Sequence, residues 1–482
     1  MFIIKERIIF LLYFPMEICF FGKLYFPLSY ISVGNKKNEI NKDIIKMKRA
    51  IIITLSAICF SLSIQAQNSP YISVDKAVEM AVKNNSNVKL SDLDGKIANA
   101  NYHQTDAVFL PQITVGYTAL STNNPLNAFG FLLQQESVTA MDFDPVKLNH
   151  PGARQNYGTQ IEAKLPLLNM DMIYARKGAK ANEEAYKYKS ERTKEYIEFE
   201  VRKAYTQLQM SYQAHSILQK SLQDVKQIHQ SVTNFYNQGL IQKSDVLNAQ
   251  VQVNTIESAL AKAESNIYNA SDGLRLLMGF EADGDVFTTD SLSQKIELPQ
   301  DRDLSALRSD IMALNKAVDA TNMMVKSSQM AFLPRINAFG SYGLNDSKAF
   351  KFRNDSYLVG INLSWTIFSG NQNRSRMKSA QFQHYKMQEE LNLHIKKEQL
   401  ELDKTKRDLN DSQIEIDKQK ASVKQADEAL RILSNRHREG LVSTTDLLMA
   451  QAQLSQQKLL LAQAIMSYNI TKAYLDFLSK VK

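Results

Sequence analysis

The feature that most constrains the fold of this chain is an internal duplication. Phe109-Leu110-Pro111 returns as Phe332-Leu333-Pro334, and Gly239-Leu240 returns as Gly440-Leu441. In each half, two strand-like segments follow the Leu-Pro step, and a very long helical segment comes next. An open solenoid needs about three repeats or more, so two copies predict a closed, pseudo-symmetric body, with oligomerisation as a means of closing it.

Two segments that contain neither glycine nor proline predict very long helices. They span residues 179–238 and 371–439. At 1.5 Å per residue each helix would be about 90–100 Å long, several times the length of an ordinary globular helix. Apolar side chains recur along both at a coiled-coil spacing. The second stripe includes polar residues such as Glu398 and Thr405, which would suit helices arranged around water.

Four shorter segments alternate apolar and polar residues as β-strands do. They cover about residues 112–121, 156–168, 335–344 and 356–368. Each is about as long as a tilted transmembrane strand. Two hairpins in a soluble domain would give the same alternation, so both interpretations stay open on this evidence. Four strands cannot close a membrane barrel within one chain, because the smallest such barrels have about eight.

Each long helix ends at a glycine and is followed directly by a return helix. Gly239 and Gly440 suit the left-handed position that commonly follows a helix C-terminus. We expect Ser244 and Thr445 to cap the return helices, with the aspartate that follows each of them in the favourable first turn. These roles explain both motifs in structural terms alone.

The N-terminal region predicts a secretory signal peptide over residues 47–66. A charged start precedes an apolar run over residues 50–64, which is shorter than the roughly 20 residues of a membrane-spanning helix. We expect residues 1–46 to be an upstream extension from a misassigned start codon. Cys19 and Cys59 are the only cysteines, and both lie in this leader. The mature chain would therefore have neither disulfides nor thiol catalysis.

Charge and motifs exclude several classes of function. The net charge is +8, but basic residues alternate with acidic ones along the helices, as in residues 396–408, which is typical of a solvated helix face rather than a nucleic-acid surface. Phosphate-binding loops, nucleophile elbows and HExxH motifs do not occur in the sequence. We therefore expect no enzyme activity, no cofactor and no metal site. Because no apolar segment of about 20 residues follows the signal, a chain of this kind could cross a membrane only as a β-barrel.

The duplication divides the mature chain into two repeats, residues 67–279 and 304–482, joined by a linker over 280–303 that is rich in Asp, Ser and Thr. Residues 118–156 form a long insertion between the first two strands, with a short helix over 129–135. The predicted long helices cover about residues 171–238 and 371–439, and the predicted return helices about 241–278 and 442–480.

The chain resembles the TolC family of outer-membrane efflux proteins in the order and spacing of its predicted helices and strands and in its paired Phe-Leu-Pro and Gly-Leu motifs. The resemblance covers about residues 72–480 and includes the opening Val74-Asp75-Lys76-Ala77. It implies a mainly α chain with membrane β structure. In that fold a homotrimer forms a 12-stranded β-barrel, with four strands per chain, which a long antiparallel α-helical barrel continues across the periplasm.

The resemblance also implies a location and partners. The chain would lie in the outer membrane of a Gram-negative bacterium, contact outer-membrane lipid and extend into the periplasm. Its helical tips would bind a periplasmic adaptor (membrane fusion) protein, which connects to an inner-membrane pump. The matching tip residues are Gly239, Leu240, Ser244, Asp245, Gly440, Leu441, Thr445 and Asp446.

The resemblance also suggests one residue that could gate the channel. Some members close the periplasmic mouth with two aspartates per chain on the second tip. Asp446 matches the first of these and is the candidate gate residue, whereas Met449 stands at the position of the second. The match to a double acidic ring is therefore partial.

Two functions remain after these exclusions. The favoured one is the outer-membrane channel component of a tripartite efflux or secretion system, a passive export duct across the outer membrane and periplasm. The alternative is a soluble periplasmic coiled-coil adaptor or scaffold protein. This alternative explains the long helices but leaves the duplicated strand pairs without a purpose.

Overall fold

The computed structural model describes residues 71–281, 285–294 and 303–480. The predicted signal peptide over 47–66, the upstream extension over 1–46 and both cysteines lie outside the described residues. Much of the predicted linker over 280–303 lies outside them too.

The described chain repeats one order of elements: helix, strand, strand, long helix and return helix. The elements of the first repeat are α1 (Val74–Asn84), α2 (Ser86–Gln104), β1 (Gln112–Thr122), α3 (Pro125–Gln134), α4 (Pro145–Asn149), β2 (Arg154–Leu168), α5 (Met170–Asn237) and α6 (Lys243–Leu277). The elements of the second are α7 (Ser309–Met330), β3 (Arg335–Asp346), β4 (Asn354–Ser364), α8 (Gln372–Arg438) and α9 (Thr444–Ser479). This order confirms the internal duplication.

The two long helices organise the helical part of the molecule. Helix α5 has 68 residues and α8 has 67, so each is about 100 Å long. Each forms an antiparallel hairpin with its return helix, while α7 lies between α5 and α8, and α9 contacts both. Along α5 the predicted apolar stripe is buried at Ile197, Val201, Leu208, Val225 and Val232. Among the described residues, no helix has both the length and the apolar composition needed to cross a membrane.

The four strands form one antiparallel sheet in the order β1-β2-β3-β4. Its register places Val115 of β1 opposite Ile161 of β2, Ile161 opposite Tyr342 of β3, and Tyr342 opposite Tyr357 of β4. These side chains share one face with the residues two positions away on each strand, such as Val359. We call this the apolar face; the opposite, polar face carries residues such as Gln160, Glu162 and Asn362.

The sheet is unusual because most of its apolar face is uncovered. Val115, Tyr357, Val359 and Ile361 expose between 67% and 78% of their surface. Strands β1 and β4 each pair with only one neighbour within the described chain, so both edges of the sheet are open. The described chain therefore leaves this sheet with a largely exposed apolar face and with unpaired backbone groups along both edges.

The first helical segment is interrupted at a different place from the one that the sequence suggests. Residues 73–110 contain one glycine, Gly95, and no proline, and this composition predicts a single helix whose weakest point is Gly95. The break instead falls at Asn85, whose side chain accepts the N–H of Asn87 at 2.8 Å and donates to the carbonyl of Leu277 at 2.8 Å. Gly95 lies inside α2, because the competing hydrogen bonds of Asn85 decide where the helix restarts.

The insertion between β1 and β2 is helical and packs onto the strand ends. Helix α3 begins before the expected residue 129, because Asn124 supplies an N-cap and Pro125 a first helical residue. At its C-terminal end, Gln135 donates from Nε2 to the carbonyl of Gln155 (2.7 Å) and to Oδ1 of Asn156 (2.9 Å). Since Asn156 lies on the polar face, these bonds tie the insertion to that side of the sheet.

Candidate functional site

The two hairpin tips are built from the same turn. At the end of α5, the N–H of Leu240 bonds to the carbonyl of Phe235 at 3.0 Å; at the end of α8, Leu441 bonds to Arg436 at 2.9 Å. Gly239 has φ +75° and Gly440 has φ +72°. Both are left-handed residues of the Schellman type, in which a 6→1 bond closes the helix C-terminus. The predicted backbone role of these glycines is confirmed.

The caps of the return helices differ from those expected. Ser244 and Thr445 lie inside the first turns of α6 and α9 rather than at the caps. The N-cap of α6 is Gln242, whose backbone N–H bonds to Asp245 at 3.2 Å. The N-cap of α9 is Ser443, whose hydroxyl accepts the N–H of Asp446 at 3.1 Å. Each aspartate occupies the third helical position, and this fixes the cap three residues before it.

A cavity of about 680 Å³ lies between the two tips. The first tip contributes Leu240, Ile241 and Asp245, and the second contributes His437 and Leu441 among others. Two segments that are far apart in sequence therefore meet at one end of the helical hairpins. The lining mixes apolar residues with two acidic residues, Asp245 and Glu439, and with Arg438 and His437.

His437 lies at the second tip, and no sequence motif identifies it as a tip residue. It is only 6% exposed, and its Nε2 lies 3.3 Å from the hydroxyl of Thr444. Its ring centroid lies 5.8 Å from that of Phe235 on the first tip. Burial lowers the pKa of His437, and the negative charge of Asp245 partly opposes this effect. The neutral ring therefore packs between the two tips. This role cannot be predicted from the sequence, in which His437 is a single histidine three residues before Gly440.

The remaining predicted tip residues are accessible. Leu240 exposes 66% of its surface and Leu441 exposes 67%. The Asp446 side chain is also exposed and accepts a hydrogen bond from the Ser443 hydroxyl at 2.7 Å. Each tip therefore presents an exposed leucine beside the capped N-terminus of its return helix, so that an apolar patch lies next to hydrogen-bonding groups.

A second cluster of ionisable groups lies where α7 meets α8 and α9. The possible ligand atoms of Asp310, His394 and Glu398 lie within 4.8 Å of one another. Arg308, however, donates to Asp310 (2.7 and 2.5 Å) and to Glu398 (2.5 Å), and His394 lies 2.7 Å from Asp310. The guanidinium thus occupies the position of a cation, and the group is an ion-pair network.

The surroundings of Asp310 favour the ionised form of its carboxyl group. Burial raises the pKa of Asp310, but the hydrogen bond from Arg308, the charge of Arg192 and the hydrogen bond from His394 together outweigh burial. They hold the pKa of that carboxyl well below its usual range. The cluster therefore joins helices rather than supplying a reactive acid.

Comparison with known proteins gives one family. The model of the outer membrane efflux protein family matches residues 77–280 and 302–479. One curated relative is the outer membrane protein TolC of Salmonella enteritidis, which is 23% identical over 271 residues, or 52% of this chain and 54% of that protein. The match thus spans about half the length of that relative.

Solved structures share the fold over most of their length. The structure of CusC superposes with a TM-score of 0.74 at 17% identity, covering 86% of this chain and 94% of that chain. The outer membrane protein VceC of Vibrio cholerae superposes with a TM-score of 0.71 at 18% identity, covering 85% of this chain and 96% of that chain. The helical hairpins and the sheet are therefore parts of one shared architecture.

Proposed function

Because this chain belongs to the outer membrane efflux protein family, we propose that it is the outer-membrane channel component of a tripartite efflux or secretion system. Family membership places the chain in the outer membrane of a Gram-negative bacterium, with its helices extending into the periplasm. In this role it is a passive export duct that catalyses no reaction.

One observation carries the proposal: the sheet exposes most of an apolar face and has two open edges within the described chain, and it is continuous with helices of about 100 Å. Three copies joined edge to edge would supply twelve strands, enough to close a barrel with the apolar face toward lipid and the polar face toward a lumen. The α5–α6 and α8–α9 hairpins would extend that lumen through the periplasm.

The tips are the proposed contact with a periplasmic adaptor, which would connect the duct to an inner-membrane pump. The contact residues are Gly239, Leu240, Ser244, Asp245, Gly440, Leu441, Thr445 and Asp446. Support comes from the exposed leucines and the cavity between the two tips. Asp446 is proposed in addition as the gate residue at the periplasmic mouth.

A pair of lysine substitutions on one strand tests the proposal. Val359→Lys puts a charge at the centre of the apolar face of β4, and Asn362→Lys puts the same charge on the polar face. A charge facing lipid near the bilayer centre costs about 2–4 kcal/mol, whereas a charge facing the lumen is tolerated. We expect Val359→Lys to abolish outer-membrane trimers and Asn362→Lys to retain both trimers and ion conductance in planar bilayers.

The soluble alternative makes a different prediction for the same pair. A periplasmic adaptor or scaffold would be washed from membranes by carbonate and would conduct no ions. In such a protein, Val359→Lys and Asn362→Lys would have similar effects. A native chain that remains a water-soluble monomer without detergent would refute the channel.

A further inference from the structure

The connection between β3 and β4 has an unusual composition for a short turn. It runs Ser347-Lys348-Ala349-Phe350-Lys351-Phe352-Arg353, and we call residues 347–353 the rim loop. Helix α7 leads into β3, and α8 follows β4, so the rim loop lies at the end of the sheet opposite the long helices, where the α3–α4 insertion also lies. In the proposed channel this is the cell-surface end.

The rim loop folds back onto the apolar face instead of pointing away from the sheet. Asp346, the last residue of β3, is only 2% exposed, because the loop covers it. Its carboxylate accepts hydrogen bonds from Arg353 Nε at 2.8 Å and from the backbone N–H of Lys348 at 2.9 Å. The Phe350 ring stacks on Tyr117 of β1, with centroids 5.1 Å apart and planes 2° apart. Tyr117 lies on the apolar face two strands away, so the loop crosses that face.

The backbone of the loop holds two aromatic rings on the outside. Phe350 has φ 60° and Phe352 has φ 49°, a left-handed conformation that bulky side chains rarely adopt. Despite the stacking contact, Phe350 exposes 72% of its surface, and Phe352 exposes 45%. Tyr342 and Tyr357 lie on the same face of the neighbouring strands. Together they form an exposed aromatic belt at one rim, as membrane proteins have at the level of lipid headgroups.

The charges of the loop complement an anionic surface. The Arg353 guanidinium is engaged by Asp346, but Lys348 and Lys351 are exposed, and neither forms an ion pair with the described residues. The nearby Asp355 carries the opposite charge and accepts a hydrogen bond from the Tyr342 hydroxyl at 3.2 Å. Two lysine ammonium groups thus border the aromatic belt, where long side chains can reach the headgroup region.

We propose that the rim loop is a binding site for lipid whose headgroup carries phosphate groups. Phe350 and Phe352 insert where headgroups meet acyl chains, and Lys348 and Lys351 pair with the phosphates. The inference rests on the proposed channel function, because only a sheet embedded in lipid brings this loop to the membrane surface. It adds a specific lipid contact to a duct that would otherwise need only a generic bilayer.

The test measures lipid affinity and channel function on the same preparations. Full-length protein in detergent is titrated with fluorescent diphosphoryl lipid A and, separately, with its dephosphorylated form. A lysine near an anionic surface contributes about 1 kcal/mol, so the Lys348→Gln/Lys351→Gln variant should bind the phosphorylated lipid about tenfold to thirtyfold more weakly. The matched control Lys418→Gln/Lys424→Gln removes the same charge from the exposed surface of α8 and should bind like the native protein.

Two further measurements decide between the possible outcomes. Phe350→Ser should weaken binding of both lipid forms, because it removes an apolar anchor rather than a charge. Equal affinity of the native protein for the two lipid forms, or an unchanged affinity of the double lysine variant, would overturn the lipid site. If conductance is normal in that case, the channel stands without the site. If the native protein neither forms trimers nor conducts, both proposals fail together.

Discussion

Arg308 is the residue on which the junction of the helices most depends. Its side chain is completely buried, and its guanidinium also donates from Nη1 to the carbonyl of Leu478 at 2.9 Å. It therefore connects the start of α7 to α8, through Glu398, and to the end of α9. A buried charge of this kind stabilises a structure only while all its partners are present.

We predict that Arg308→Met destabilises the folded chain by about 3–5 kcal/mol. Glu398 would lose its cationic partner while remaining partly buried, and Asp310 would keep only Arg192 and His394 as partners. The measurement is chemical unfolding of the detergent-solubilised protein. Arg431→Met is the matched control: Arg431 pairs with Glu428 on α8, but the side chains are 63% and 53% exposed. Loss of such a surface pair should cost at most about 1 kcal/mol. Similar effects of the two substitutions would contradict the role given to Arg308.

At the scale of elements, the turn at each hairpin tip is set by backbone conformation rather than by packing. A side chain added at Gly440 would meet no atom within 4 Å, and the same is true of Gly95 inside α2. The two positions differ in φ, which is +72° at Gly440 and helical at Gly95. The same substitution should therefore have opposite effects at these two positions.

We predict that Gly440→Ala destabilises the chain by about 1–2 kcal/mol, the penalty of a left-handed L-residue. Gly95→Ala should stabilise it by about 0.5–1 kcal/mol, because alanine loses less entropy in a helix interior. Unfolding curves of both variants under one condition provide the comparison. Destabilisation by both, or by neither, would mean that contacts with other chains rather than φ control the tip.

These elements also show which parts of the fold were accessible from the sequence. The tip glycines could be predicted because a C-terminal left-handed residue is a local requirement. The caps at Gln242 and Ser443 were missed because they depend on the position of the first helical turn, which the Asp residues at the third position set. The interruption at Asn85 was missed because the side chain bonds to Leu277, 192 residues away.

Interactions between segments that are far apart in sequence were the hardest to predict. Arg308 bonds to Glu398 and Leu478, which are 90 and 170 residues away in sequence. Likewise, His437 is buried against Phe235 of the other tip, and a single histidine carries no signal of such a contact. Periodicity reports which face of a helix is buried, but the partner of a buried polar group is fixed only when the helices pack.

At the scale of the whole molecule, the sheet and the hairpin tips present different surfaces. The sheet presents an apolar face and open edges, whereas the tips present leucines and carboxylates around a cavity. In a threefold assembly the sheets would form the membrane end, and the tips of three chains would surround the periplasmic mouth. Any charge on a tip would then be present three times around one axis.

Asp446 is the tip residue whose charge we expect to control ion passage, because three exposed carboxylates converging on one axis attract cations and repel anions. Asp446→Asn keeps the size of the side chain, and the cap hydrogen bond from the Asp446 N–H to Ser443 involves only the backbone of residue 446. We predict that this substitution lowers the cation-over-anion permeability ratio by a factor of about two to five, and weakens block by multivalent cations, in planar-bilayer recordings. Asp411→Asn removes the same charge from the exposed surface of α8, away from the tips, and should change selectivity little. If Asp446→Asn leaves selectivity and block unchanged, the mouth must be lined by other groups, and Asp446 acts only as the first-turn acid of α9.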